Sequence, residues 1–120
     1  MTPADYDKSV IILKQAYQHF NKREIDATLN FMHPGVDWPN GMTGGYEKGT
    51  DAVRNYWTRQ WEVLDPHVEP LSFELEDDGR IKVTVHQVVH EVSGTLLIDE
   101  VIHHVYMIDG GLIRSMEIKN

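Results

Sequence analysis

The order of apolar and polar residues divides the chain near Pro66. Before it, apolar residues recur at helical spacing; after it, β-branched residues alternate with polar ones. Val10, Leu13, Ala16, Tyr17 and Phe20 form one stripe and predict a first helix over 3–21. Thr2 suits its cap, Pro3 its first turn, and Asp5 the positive end of the helix dipole. Ile25, Leu29 and Met32 predict a short second helix over 23–32. His33-Pro34 should stop it, because a residue before proline avoids the α region. Residues 36–38 read as a short strand and 39–49 as a turn-rich, Gly-rich loop. A third helix starts near Thr50, taken as its cap. It carries Val53, Trp57, Gln60, Trp61 and Leu64 on one stripe and ends at Asp65-Pro66.

Four strands follow, over 68–76, 80–92, 95–108 and 112–118, with turns at Asp77-Asp78-Gly79, Ser93-Gly94 and Asp109-Gly110-Gly111. Helices first and an antiparallel meander later define an α+β fold. The expected shape is a cone: one domain over 1–120, with a curved antiparallel sheet wrapped around three N-terminal helices and a pocket inside.

Hairpin register locates that pocket. A two-residue loop at Ser93-Gly94 sets Val89 opposite Ile98, Gln87 opposite Glu100, Val85 opposite Ile102, Val83 opposite His104 and Ile81 opposite Tyr106. For the next turn, a three-residue loop sets His104 opposite Met116 and Ile102 opposite Ile118. It is preferred to a two-residue loop because it keeps the face apolar. That face then presents Val85, Ile102, Tyr106, Met116 and Ile118 around His104 and Gln87. An apolar wall with a few convergent polar groups is how small-molecule sites are built.

Composition narrows the chemistry. Of 120 residues, 41% are hydrophobic and 25% charged, ordinary values for a globular chain. Eleven basic against 19 acidic residues give a net charge of −8, which disfavours nucleic acid. The chain has no Cys, which removes thiolate, disulfide and Fe–S chemistry together. The N-terminal segment lacks a signal-peptide pattern, and no apolar run approaches a membrane span. A soluble, cytoplasmic protein is expected, with no membrane partner. His86, His90 and His103 share the opposite sheet face, but no carboxylate-rich motif accompanies them, so neither a metal nor a cofactor is expected. Phosphate-loop and serine-nucleophile patterns are missing.

His104 is the leading site residue, since an unperturbed imidazole titrates near neutrality, at about 6.5. A core histidine bonded to a neighbour is the equal alternative. Tyr17 and Tyr56 offer phenol donors. Asp37, beside the Gly-rich loop, is either a base at the mouth or a turn former. Trp38 and Trp57 suit pocket walls, and Trp61 weighs toward plain packing. Gln87 would orient a ligand, while Glu100 falls at the rim.

The segments Asn21-Lys22-Arg23-Glu24-Ile25-Asp26-Ala27, His33-Pro34-Gly35-Val36-Asp37-Trp38 and Gly49-Thr50-Asp51-Ala52-Val53-Arg54-Asn55-Tyr56-Trp57 occur in that order. His104-Val105-Tyr106, Asp109-Gly110-Gly111-Leu112-Ile113 and Met116 follow. The set resembles the SnoaL-like branch of the nuclear transport factor 2-like superfamily, the cystatin-like cones, over nearly the whole chain. The resemblance implies a ligand held between helices and concave sheet, and a homodimer through the outer sheet face, which here carries Val88, Val101, Val105 and Met107. The superfamily hosts isomerases, cyclases, dehydratases, epoxide hydrolases and non-catalytic binding domains, so it implies a fold before a function. The carboxylate base of its steroid isomerases aligns with Trp38, and their oxyanion-stabilising acid with His104, which disfavours that activity here. The nearest counterpart of the cyclases' acid–base residues is His104. Two functions stay open. One is a cofactor-free isomerase, cyclase or lyase acting through His104, with Tyr17 and Gln87, on a small apolar or carbonyl-containing molecule. The other is a non-catalytic binding or dimerisation domain.

Overall fold

The computed structural model describes residues 1–119, arranged as α1 (Pro3–Asn21), α2 (Ile25–Leu29), β1 (Met32–Pro39), β2 (Tyr46–Lys48), α3 (Thr50–Val63), β3 (Leu64–Leu75), β4 (Ile81–Glu91), β5 (Leu96–Asp109) and β6 (Leu112–Lys119). The first helix has the expected bounds. Thr2 and Asp5 close it reciprocally: the Asp5 N–H donates to Thr2 Oγ1 at 3.1 Å, and the Thr2 N–H donates to Asp5 Oδ2 at 3.3 Å. Its inner stripe buries Leu13, Ala16 and Tyr17.

Three boundaries differ from expectation, each for a backbone reason. The second helix is five residues long, not ten, because β1 already begins at Met32. Pro34 therefore lies inside a strand. It sits between the Met32–Ile113 and Asp37–Ser115 pairs, where the ladder is irregular and no N–H is needed. The cap of α3 is Gly49 rather than Thr50. Its φ of 85° and ψ of 160° are open essentially to glycine alone. A Cβ there would also stand 3.3 Å from the Pro34 carbonyl oxygen. Finally, Asp65-Pro66 does not end α3; both residues lie in β3, which follows the helix directly. An edge strand tolerates Pro66 and Pro70 because their missing N–H groups interrupt no central ladder.

The six strands form one sheet in the order β2-β1-β6-β5-β4-β3. The sheet is mixed, not antiparallel throughout, because β1 runs parallel to β6. Within the loop expected over 39–49, Tyr46–Lys48 form β2 against β1. The β4–β5 pairs from Ile81–Tyr106 to Val89–Ile98 are the expected ones. The turn is one residue longer, with the Glu91 N–H donating to Thr95 O at 2.8 Å, and a shift after Val89 absorbs the difference.

The last hairpin corrects the preferred register. Asp109 pairs with Leu112 across Gly110 and Gly111, a two-residue turn whose positive φ values of 59° and 80° suit glycine. Left alone, that turn would send Met116 and Ile118 to the outer face. A bulge at Arg114 intervenes, so Tyr106 meets Met116 and His104 meets Ile118. The Arg114 guanidinium donates to the Gly35 carbonyl on β1. The apolar face is kept by a bulge rather than by loop length.

Helices α1 and α3 cover the concave face, where Leu13, Val53 and Trp57 meet Val83, Val85 and Ile113. Each such buried side chain contributes about 1.5–3 kcal/mol. On the outer face, Val105 is only 1% exposed, against expectation. Lys82 and Glu117 flank it in register, and Lys82–Glu74 and Arg80–Glu117 ion pairs of 3.0 and 3.2 Å run alongside. Long charged side chains bury apolar stems this way. Among the described residues, no helix is long and apolar enough to cross a membrane.

Candidate ligand pocket

His104 lies on the concave side of β5, between Val83 and Ile118 in register, with Tyr106 two residues on along the same face. Tyr17 reaches it from α1. Tyr106 Oη donates to Tyr17 Oη at 2.8 Å, and Tyr17 Oη stands 2.7 Å from His104 Nδ1. All three side chains are buried. Each hydroxyl has one proton. Tyr17 accepts from Tyr106, and the one acceptor within reach of its own proton among the described residues is Nδ1. His104 Nδ1 is therefore the acceptor, and the neutral ring carries its proton on Nε2.

Burial holds this arrangement neutral. It lowers the His104 pKa to about 4 and raises both phenols, Tyr17 well above its ordinary value. The imidazole thus does not titrate at the 6.5 of a free histidine. Nε2 has no hydrogen-bond partner among the described residues, and His104 lines both cavities of the cone. The chain of phenols does not extend further, so it fixes a tautomer rather than conducting protons to solvent. The chemistry available is donation of one directed N–H.

The inner cavity is about 60 Å³. Ala16, Tyr17 and Phe20 of α1 form one wall, with Met32 and Trp38 of β1 and Trp57 of α3 opposite. Thr28 adds no free polar group, because its hydroxyl donates to Glu24 O at 2.7 Å. A second cavity of about 100 Å³ opens toward Pro39 and Gly41. The two share Phe20, Trp38, Trp57, Val68 and His104. Trp57 meets Trp38 edge to face at 5.5 Å and Phe20 at 5.2 Å. Such packing makes stiff, flat walls. Among the described residues, no Asp, Glu, Lys or Arg lines either cavity.

The expected residues fall into three groups. His104, Tyr17 and Tyr106 are brought together, and Trp38 and Trp57 wall both cavities. Tyr56, Gln87, Met116 and Ile118 line the outer cavity, although Ile118 is 43% exposed. Val85 and Ile102 are core residues that line neither cavity. Trp61 also stands outside them, stacked on Trp57 at 5.8 Å beneath the Arg23 guanidinium. Asp37 alternates away from Trp38 into a surface groove with Ser115 and Glu117, 3.6 Å from Lys48. Glu100 is exposed at the rim.

On the outer face, His86 Nε2 bonds Asp99 Oδ1 at 2.6 Å. Among the described residues, no three His, Asp or Glu side chains gather as a metal site. The lining residues not anticipated include Ala16, Phe20, Thr28, Met32, Val68 and Gln60. The α1 stripe contains the first two and was a usable signal. Gln60 likewise lies on the α3 stripe, while the others depend on how the strands and α2 fold together, which periodicity does not report.

A curved sheet closed by helices over an apolar chamber defines the class: an α+β cone with an internal cavity. The family follows from the sequence. Residues 13–116 match the SnoaL-like domain, and the chain belongs to the SnoaL-like family. No curated protein matches it. Among solved structures, an NTF2-like protein of unknown function from Burkholderia pseudomallei superposes with a TM-score of 0.80 at 24% identity, over 92% of this chain and 88% of that one. TerC, co-crystallised with polyporic acid, gives 0.80 at 25% identity, over 92% and 89%. A candidate polyketide cyclase from Xanthomonas campestris gives 0.78 at 18% identity, over 95% and 90%.

Proposed function

We propose that the cone binds a flat, largely apolar small molecule through one carbonyl oxygen, which accepts the Nε2–H of His104. The observation that carries this reading is a buried, neutral imidazole whose Nδ1 is occupied by Tyr17 and whose Nε2 faces cavities without charged walls. An ionised ligand would lose its hydration there without gaining a counter-charge. A neutral aromatic or polycyclic ketone loses little and gains area against Trp38, Trp57 and Phe20. TerC, of like size and fold, was crystallised with a small organic ligand, polyporic acid, which supports a cone of this kind accepting one.

The same N–H would stabilise negative charge on that oxygen, as carbonyl isomerisation or cyclisation requires. No carboxylate base lines the cavities among the described residues. The geometry therefore supports binding and polarisation by the protein ahead of proton abstraction by it.

The test is titration with acetylnaphthalene, read by quenching of Trp38 and Trp57 fluorescence. Saturable quenching is expected, weakened about tenfold in His104→Leu while far-ultraviolet circular dichroism stays unchanged. Absence of binding, or equal affinity in the variant, overturns the reading.

The outer sheet face supports a second reading, that the chain forms a homodimer there. Val101 is 57% exposed and Met107 46%, beside acid–base pairs of both signs that can complement themselves about a two-fold axis. Light scattering should give twice the chain mass, and Val101→Lys should halve it; a monomeric wild type overturns this.

A further inference from the structure

The outer cavity holds polar groups that the binding of one carbonyl leaves unused. Tyr56 Oη accepts from the Gly41 N–H and from Gln60 Nε2, both at 3.1 Å. Those two bonds fill its acceptor capacity and leave its own proton to donate. Among the described residues nothing receives it, although the side chain is 4% exposed. Across the cavity, the Gln87 side chain makes no hydrogen bond among the described residues. Gln87 lies four residues beyond Val83, the register partner of His104. That spacing is about 13 Å along the strand. Aromatic and aliphatic walls fill the interval, with Phe20, Trp38, Trp57 and Val68 common to both cavities.

A hydroxyl pinned by two donors is a directed donor rather than a rotor, and an idle amide opposite it adds a second polar contact. We propose that Tyr56 and Gln87 form a second oxygen-binding end, so that the ligand is elongated, flat and uncharged, with an oxygen acceptor at each extremity. This rests on the assignment of His104 as the first anchor. It adds a specificity element: molecules with oxygen at one end only lose the contact at the mouth. Because Tyr56 also holds Gly41, its loop is the wall against which that end is seated.

Two probes separate the ideas: acetylnaphthalene, and the diacetyl analogue with its second carbonyl on the far ring. The expected result is tighter binding of the diacetyl compound by about tenfold, the usual scale for a buried hydrogen bond that a shorter analogue leaves unmade. Gln87→Leu and Tyr56→Phe should each reduce that ratio, and the double variant should bring it to about one. His104→Leu should weaken both probes and keep the ratio. Equal affinity of the two probes for the wild type, or an unchanged ratio in the double variant, overturns the second end while the His104 anchor stands. Failure of both probes to bind overturns the anchor and this inference with it.

Discussion

At pH 7 the His104 imidazole is neutral because burial removes the water that would solvate its charge. Its folded pKa of about 4 lies below the unfolded value of about 6.5. Between those values the unfolded chain holds a proton that the folded one does not. Stability from this group is therefore full above about pH 6.5 and falls as pH drops toward 4, by on the order of 3 kcal/mol. In urea titrations, the gap between wild type and His104→Leu should narrow over that window; parallel curves would contradict a buried neutral ring. The phenols differ in weight. Tyr17→Phe leaves His104 Nδ1 and the Tyr106 hydroxyl unpaired together, an expected loss of about 2–4 kcal/mol. Tyr106→Phe removes one donor and should lose about 1 kcal/mol. Chemical denaturation of both variants checks the order.

Each element of the site is set by a backbone device. Gly49 starts α3, its N–H donating to Val36 O at 2.7 Å and its carbonyl accepting from the Val53 N–H at 3.1 Å. Gly49→Ala combines a φ of 85° with a Cβ 3.3 Å from Pro34 O. It should lose about 1–3 kcal/mol, which lowers Tm by roughly 5–10 °C in a chain of this size. Because α3 carries Tyr56 and Trp57, the variant should also weaken probe binding. The Arg114 bulge does similar work on β6. Its single extra residue returns Met116 and Ile118 to the cavity side. Deleting Arg114 should leave an uninterrupted ladder with Met107 still opposite Ser115 and Tyr106 still opposite Met116, so probe binding should survive; loss of binding, or amide protection along β6 showing a shifted ladder, would contradict the bulge.

For the whole molecule, the −8 charge resides outside the cavities. Affinity for a neutral naphthyl ketone should not change between about 0.05 and 0.5 M salt, where the Debye length shortens several-fold. The corresponding naphthoate should bind much more weakly, from desolvation of its charge and from the acidic exterior. Calorimetry at two salt concentrations checks both. The cone owes its cavity to stiffness. Edge-to-face rings at 5.2–5.5 Å hold α1, β1 and α3 apart where flexible aliphatic residues would collapse.

The sequence by itself determined α1, the α+β order and the β4–β5 register, because 3.6- and two-residue periodicities and a capped N-terminus are local signals. It also placed His104, Tyr106 and Gln87 on one face by alternation, whereas Met116 reaches that face through the bulge on β6. Tertiary structure decided the rest. The parallel β1–β6 pair, the edge positions that admit Pro66 and Pro70, and the bulge at Arg114 are non-local. So is the protonation of His104. A free imidazole would titrate near neutrality; a hydroxyl from α1 on Nδ1 and a dry surround make it a fixed N–H donor. Periodicity reports which side a residue faces, but not how much water is left when it gets there.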